Sequence, residues 1–171
     1  MDYFNQLNKM KQNIQFVLIG AMDGITDDFI YPMVKEYKWS GLLVEPRKDK
    51  FDLLKKNYKN ISNVEFANIA IDTKTRKRKL YYLKNEDIVK HNLPDWAEGV
   101  SSFYKSQMDL KLHLPNLYKE SESNPELKKK LKKINTIFKT QSTSCDVECC
   151  SLEVLFDNYN INQVDILVID T

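Results

Sequence analysis

Residues 15–45 read QFVLIGAMDGITDDFIYPMVKEYKWSGLLVE, and the architecture follows from how that run is punctuated. It begins with an apolar segment, QFVLI at 15–19, bounded by Gly20 and Gly24, the pattern of a strand buried on both faces. A helix follows. Asp27 or Asp28 caps its start, Pro32 is tolerated in its first turn, and Phe29, Ile30, Met33, Val34 and Tyr37 recur at helical spacing. Gly41 ends that unit, and GLLVE at 41–45 is a second apolar strand. Pro46 then leads into a helix with Phe51, Leu54 and Tyr58 on one face, Asn60 to Asn63 turn the chain, and residues 64–71 read as a third strand. Strand, helix, strand, helix, strand within 73 residues predicts right-handed crossovers and an α/β fold, a mostly parallel sheet with flanking helices.

From residue 74 the pattern changes. After the basic segment TKTRKRK, KLYYL at 79–83 reads as a short strand. Residues 84–124 hold His91, Pro94, Trp96, Gly99 and Pro115 without sustained periodicity, so a long, partly ordered excursion is expected there. Pro125 opens a helix with Leu127, Leu131, Ile134 and Phe138 along one side and lysines on the other. SCDVECC is then a strand, SLEVLFDNYN a helix and VDILVID an apolar strand, its end reading as buried. The expectation is one domain over residues 1–171, with an insertion at about 84–140 covering the site.

Composition narrows the class. With 42% apolar and 29% charged residues and only 4 Gly, the chain is globular, neither collagen-like nor membrane-embedded. Net charge by segment is 0 over residues 1–73, +8 over 74–140 and −6 over 141–171. The basic middle is interspersed with acid and reads as solvated surface rather than a nucleic-acid platform. Cys145, Cys149 and Cys150 are an odd count without a CxxC pair, which points to reduced, buried thiols in a cytoplasmic protein. No His lies near them to complete a zinc site, no His and carboxylate cluster indicates another metal, and no apolar run is long enough to span a bilayer.

In open α/β sheets, ligands sit beyond the carboxyl ends of the strands. The informative residues are therefore Gly20 and Gly24 after the first strand, Glu45 after the second, Asn68 to Asp72 after the third and Asp170 after the last. Glu45 lies 25 residues beyond Gly20, where a carboxylate accepts hydrogen bonds from both hydroxyls of a ribose. The dinucleotide fingerprint needs two further glycines, and here Asp23, Asp27 and Asp28 stand where a pyrophosphate would lie. S-adenosylmethionine carries no phosphate, and its sulfonium and ammonium suit an acidic turn. The residues favour that methyl donor over a dinucleotide.

FVLIGAMDGITDDF, WSGLLVEPRKDKFDLLKKN, NVEFANIAID and SLEVLFDNYNINQVDILVIDT together resemble the FkbM-type S-adenosylmethionine-dependent methyltransferases. The family pattern runs GAxDG, EP, NxAI and IDxEG. The resemblance covers residues 14–83 and 141–171, with Glu45-Pro46 its most specific element. It implies a Rossmann-like class I methyltransferase fold; the pattern's Glu-Gly and later strands lie beyond Thr171, so a domain lacking its C-terminal strands is expected. It also implies that Gly20, Ala21, Asp23 and Gly24 hold the methionine part of the donor. Glu45 would hold the ribose with Pro46 shaping the turn, and Asn68, Ala70 and Ile71 would line the adenine. Ser102, with Ser101, would belong to a loop closing over the donor, and Asp170 would sit by the methyl group as general base. Leu18 departs from the pattern, standing where the family often has an acid or amide.

The activity so implied is O-methylation of a hydroxyl on a sugar, glycolipid or secondary metabolite, with a small-molecule or glycan acceptor and no nucleic-acid partner. Two alternatives stand beside it: a nucleic-acid methyltransferase using the basic 74–140 segment, and a non-catalytic donor-binding fragment.

Overall fold

A computed structural model describes residues 2–11, 13–26 and 28–170, apart from the side chains of Asp2, Tyr3 and Asn5. The expected cap at Asp27 and the terminal Thr171 therefore lie outside the described residues. In chain order the elements are α1 (Asp2–Met10), β1 (Gln15–Ile19), α2 (Ile30–Tyr37), β2 (Ser40–Val44), α3 (Lys48–Asn57), β3 (Val64–Ala67), β4 (Ala70–Ile71) and β5 (Arg76–Tyr82). There follow α4 (Asn85–Lys90), β6 (Ser101–Ser102), α5 (Leu110–His113), α6 (Pro115–Glu120), α7 (Pro125–Gln141), β7 (Thr143–Cys150), α8 (Leu152–Asn158) and β8 (Ile166–Ile169). They group into two compact units, Met1–Lys77 with Val147–Thr171, and Arg78–Asp146.

The first unit is built on a parallel sheet of order β3-β2-β1-β8. Successive side chains of a strand point to opposite faces, and both faces of this sheet are covered. Phe16 and Leu18 of β1 and Leu43 of β2 pack with Ile30 and Val34 of α2 and with Leu54 and Tyr58 at α3. Val17 and Ile19, with Leu42 and Val44, face Leu155 of α8 and Cys150. The result is the Rossmann-like mixed α/β architecture expected from the strand and helix alternation. Because the chain runs from β1 outward to β3 and then returns to β8 on the other side of β1, the strand order reverses between β1 and β8. In sheets of this kind ligands bind beyond the carboxyl ends of the strands at such a reversal.

Two expectations change in detail. Residues 64–71 are two strands: Val64–Ala67 joins the parallel sheet, whereas Ala70–Ile71 pairs in parallel with Cys149–Cys150. The break is held by Asn68, whose side-chain amide donates to the carbonyls of Glu45 and Pro46 at 2.8 and 3.0 Å. The strand read as buried, β8, pairs among the described residues with β1, and Leu167 and Ile169 on it are 46% and 59% exposed.

The second unit contains the stretch expected to be only partly ordered. It folds around its own core of Leu83, Ile88, Ala97, Met108, Leu110, Ile134, Ile137 and Phe138. Tyr81 and Tyr82 pair antiparallel with Ser102 and Ser101. Asp109 accepts the Lys111 amide at the start of α5, receives the Asn135 amide at 3.0 Å and pairs with Lys139 at 2.5 Å. On α7 the face carrying Leu131, Ile134 and Phe138 is buried and the lysines are exposed, as its periodicity predicts. Among the described residues no helix is long and apolar enough to cross a membrane.

Candidate functional site

The carboxyl ends of β1, β2 and β3 are joined through one residue, Glu45, by its side chain and its backbone. Glu45 is 3% exposed, and its two carboxylate oxygens accept the Met22 amide at 2.9 Å and the Arg47 amide at 2.8 Å. Burial pushes its pKa up, against the pull of those amides and of the Arg47 guanidinium. A carboxylate has about four acceptor positions, and the two amides use two of them. The backbone of Glu45 is fixed as well, its amide donating to Ala67 at 3.0 Å and its carbonyl accepting from Asn68. Pro46, partly buried, supplies the second carbonyl that Asn68 holds.

The turn after β1 is shaped by its glycines. Gly20 and Gly24 have φ of 86° and 74°, where L side chains are strained. The amides of Gly20 and Ala21 both donate to the Val44 carbonyl, at 2.9 and 3.0 Å, and Ala21 is buried. Gly24 has a second reason to lack a side chain: a Cβ there would lie 2.3 Å from Leu54 Cδ1 and 2.7 Å from the Tyr58 ring. The turn thus rests directly on α3, and Asn57 donates to the Asp23 carbonyl at 2.8 Å. The Asp23 carboxylate bends back into the turn, accepting from the amides of Ile25 and Thr26 and from the Thr26 hydroxyl. Partial burial opposes its charge, but those bonds and nearby Lys50 hold it below the usual carboxylate range.

Asp170 lies at the reversal point. Its amide donates to Ile19 at 2.9 Å and its side chain is exposed. Electrostatically it acts on Asp28, half-buried at the start of α2. One Asp28 oxygen accepts the Ile30 amide at 2.7 Å, one position before the helix cap Phe29, which itself makes no side-chain cap bond. The other is buried without a hydrogen-bond partner. Burial, reinforced by the charges of Asp23 and Asp170, lifts the Asp28 pKa to about 6 against the amides of Ile30 and Tyr31. Tyr58, 1% exposed beneath Gly24, also has a hydroxyl without a partner. Neither this hydroxyl nor the buried guanidinium of Arg47, which grips Asp49 at 2.7 and 3.3 Å, was read as part of a site from sequence. Tyr58 repeats at helical spacing with Leu54 and so reads as plain core; an unmet hydroxyl leaves no mark in a sequence.

Of the remaining candidates, Ala70 and Ile71 pair with Cys149 and Cys150, Ala70 being buried. Ser101 and Ser102 belong to the second unit, where the Ser102 hydroxyl donates to Gln107 at 2.7 Å. His91 contacts Gln141 at 2.9 Å and His113 the Gln107 carbonyl at 2.8 Å, both structural bonds within that unit. The first unit therefore brings Gly20, Ala21, Asp23, Gly24, Glu45, Pro46 and Asn68 to the carboxyl end of one sheet, with Asp28 and Asp170 acting on each other beside them.

This end of the sheet gathers the carboxylates of Asp23, Asp28, Glu45 and Asp170, with Lys50 and Arg47 acting on two of them. No curated protein and no solved structure matches the chain. Residues 19–171, from the end of β1 onward, match the family described as the methyltransferase FkbM domain. With the match covering most of its length, the chain belongs to the FkbM methyltransferase family.

Proposed function

We propose that the chain is an S-adenosylmethionine-dependent O-methyltransferase acting on a hydroxyl of a sugar, glycolipid or related small metabolite in the cytoplasm. The observation that carries the reading is Glu45: a buried carboxylate, aimed by two amides, between the glycine turn and the second strand. The acidic surroundings of Asp23, Asp28 and Asp170 fit a donor with cationic groups and no phosphate. When bound, that donor supplies an activated methyl group, so the protein's work is mainly positioning.

Glu45 accepts hydrogen bonds from ribose hydroxyls through the positions its amides leave open. The Gly20, Ala21, Asp23 and Gly24 turn cradles the amino-acid end, Pro46 shapes the ribose turn, and Asn68, Ala70 and Ile71 flank the base. An acceptor hydroxyl is a weak nucleophile until a base takes its proton, and Asp170, exposed at the reversal point, is the carboxylate placed for it.

Calorimetry of the chain with S-adenosylhomocysteine tests the reading. Saturable binding is expected, and its absence overturns both the enzyme and the donor-binding fragment. Asp170→Asn is expected to lower turnover by about a hundredfold with homocysteine-product affinity kept within about threefold. A steep loss of RNA affinity with salt would instead favour a nucleic-acid substrate.

A further inference from the structure

The amino ends of β1, β2 and β3, together with the loop after α8, line a cleft of about 360 Å³, in the size range of small-ligand sites. It lies at the opposite end of the sheet from Glu45 and Asp170, and all of its lining belongs to the first unit. Its floor is apolar, made by the buried Phe16, Leu42 and Val64. Its walls carry neutral amides and hydroxyls, from Gln15, Ser40, Ser62, Asn63, Asn160 and Gln163. Glu65 is the one charged residue of the lining. Gln15, Ser62 and Asn160 are exposed, so their polar groups are open to a ligand. Asn63 and Gln163 spend their amide nitrogens on the Trp39 carbonyl and on Asp165, which leaves each an oxygen as acceptor. Two parts of the wall are held firmly. Tyr159 donates its hydroxyl to the Phe66 carbonyl at 3.0 Å, fixing its ring in the lining with Ile161. Asn160 follows in the left-handed region, φ 51°, its amide donating to the Asp157 carbonyl at 3.2 Å as α8 ends.

We propose that this cleft binds a neutral sugar unit, at a site separate from the donor's. Each sugar hydroxyl both donates and accepts, and the amides and hydroxyls of the walls offer both functions in return. The fixed Tyr159 ring and Ile161 give the C–H face of a pyranose an apolar surface to lie on. Other ligand classes answer this lining less well. A phosphate or carboxylate finds no cation among the lining residues and meets Glu65. A wholly apolar ligand strips water from the amides and returns no hydrogen bond. A hard cation finds a single carboxylate. The site stands apart from the donor reading, which it neither uses nor supports.

Titration of the chain with glucose, galactose, mannose and N-acetylglucosamine, followed through backbone amide chemical shifts, tests the assignment. At least one sugar should shift the amides of Gln15, Ser62 and Asn160 saturably, with a Kd of about 1 to 10 mM. Asn160→Gly keeps the left-handed backbone and removes the carboxamide, and Gln15→Ala keeps the backbone bond to Asp165. Each should weaken that sugar at least about threefold, with thermal melting and S-adenosylhomocysteine affinity unchanged. A wild type that none of the four sugars shifts overturns the proposal, a result needing no variant to fold. Shifts confined to the surroundings of Glu45 and Asp170 overturn it too, because they put the sugar at the acceptor's place. So does a cleft that answers the tripeptide Gly-Ser-Gly and no sugar, or full sugar affinity in both variants. Sugar binding at the cleft of a chain that ignores S-adenosylhomocysteine removes only the donor reading.

Discussion

At the amino ends of β1 and β8, Asp165 accepts the Gln15 amide at 2.8 Å, pairs with Lys11 and receives the Gln163 amide at 3.1 Å. At the carboxyl ends of the same strands, Asp28 has one oxygen satisfied and one orphaned, with Asp23 and Asp170 adding like charge. The Gln15 amide and Lys11 hold Asp165 below the ordinary carboxylate value, whereas burial lifts Asp28 to about 6. One sheet therefore treats the same side chain in opposite ways at its two ends. The amino end is electrostatically complete. The carboxyl end leaves one Asp28 oxygen without a hydrogen-bond partner and gathers like charge around it.

Substitutions can magnify or cancel that contrast. The largest effect belongs to Gly24→Ala, which adds a left-handed backbone penalty to overlap with Leu54 and Tyr58; a loss of about 3 kcal/mol in denaturant melts is expected, with weakened donor binding. Next, Asp28→Asn should stabilise the free protein at pH 7 by about 1 to 2 kcal/mol, allowing for partial exposure of the group. Its sign follows from linkage: a carboxyl raised from 3.8 to about 6 is favourable when protonated, so the wild type loses stability as pH rises from about 4 to 6. The variant should lack that decline. Smallest is Asp165→Asn, expected to cost about 1 kcal/mol at pH 7. Here the slope reverses, because a depressed carboxylate stabilises above its unfolded value near 3.8 and loses that contribution as pH falls through its lower folded value. Parallel pH slopes in the two variants would erase the distinction between the ends.

Much of the first unit is legible in its amino acids because its signals are local. QFVLI and GLLVE are continuous apolar runs with glycines at their borders, and the helices between them are long enough for a 3.6-residue period to show. The second unit hides because α4, α5 and α6 are six, four and six residues long, one turn or little more, too short for any periodicity. Asn68 looked like an interior strand residue because the amide that breaks the strand takes carbonyls 22 and 23 positions away. At the site, Glu45 was visible through its spacing from Gly20. Asp28 was visible as a cap and as part of an acidic turn, but its unpartnered oxygen was not, because a side chain with one oxygen used and one unused has the same letter as a satisfied one.

The Glu45 junction has a further consequence for the energetics of recognition. Its side chain holds the first strand's turn, its carbonyl holds Asn68 beyond the third strand, and its amide holds Ala67 within it. Three neighbouring strand tips are thereby tied together at folding, so a donor bound there as proposed would meet backbone already ordered, and little of its binding energy would go to ordering these tips.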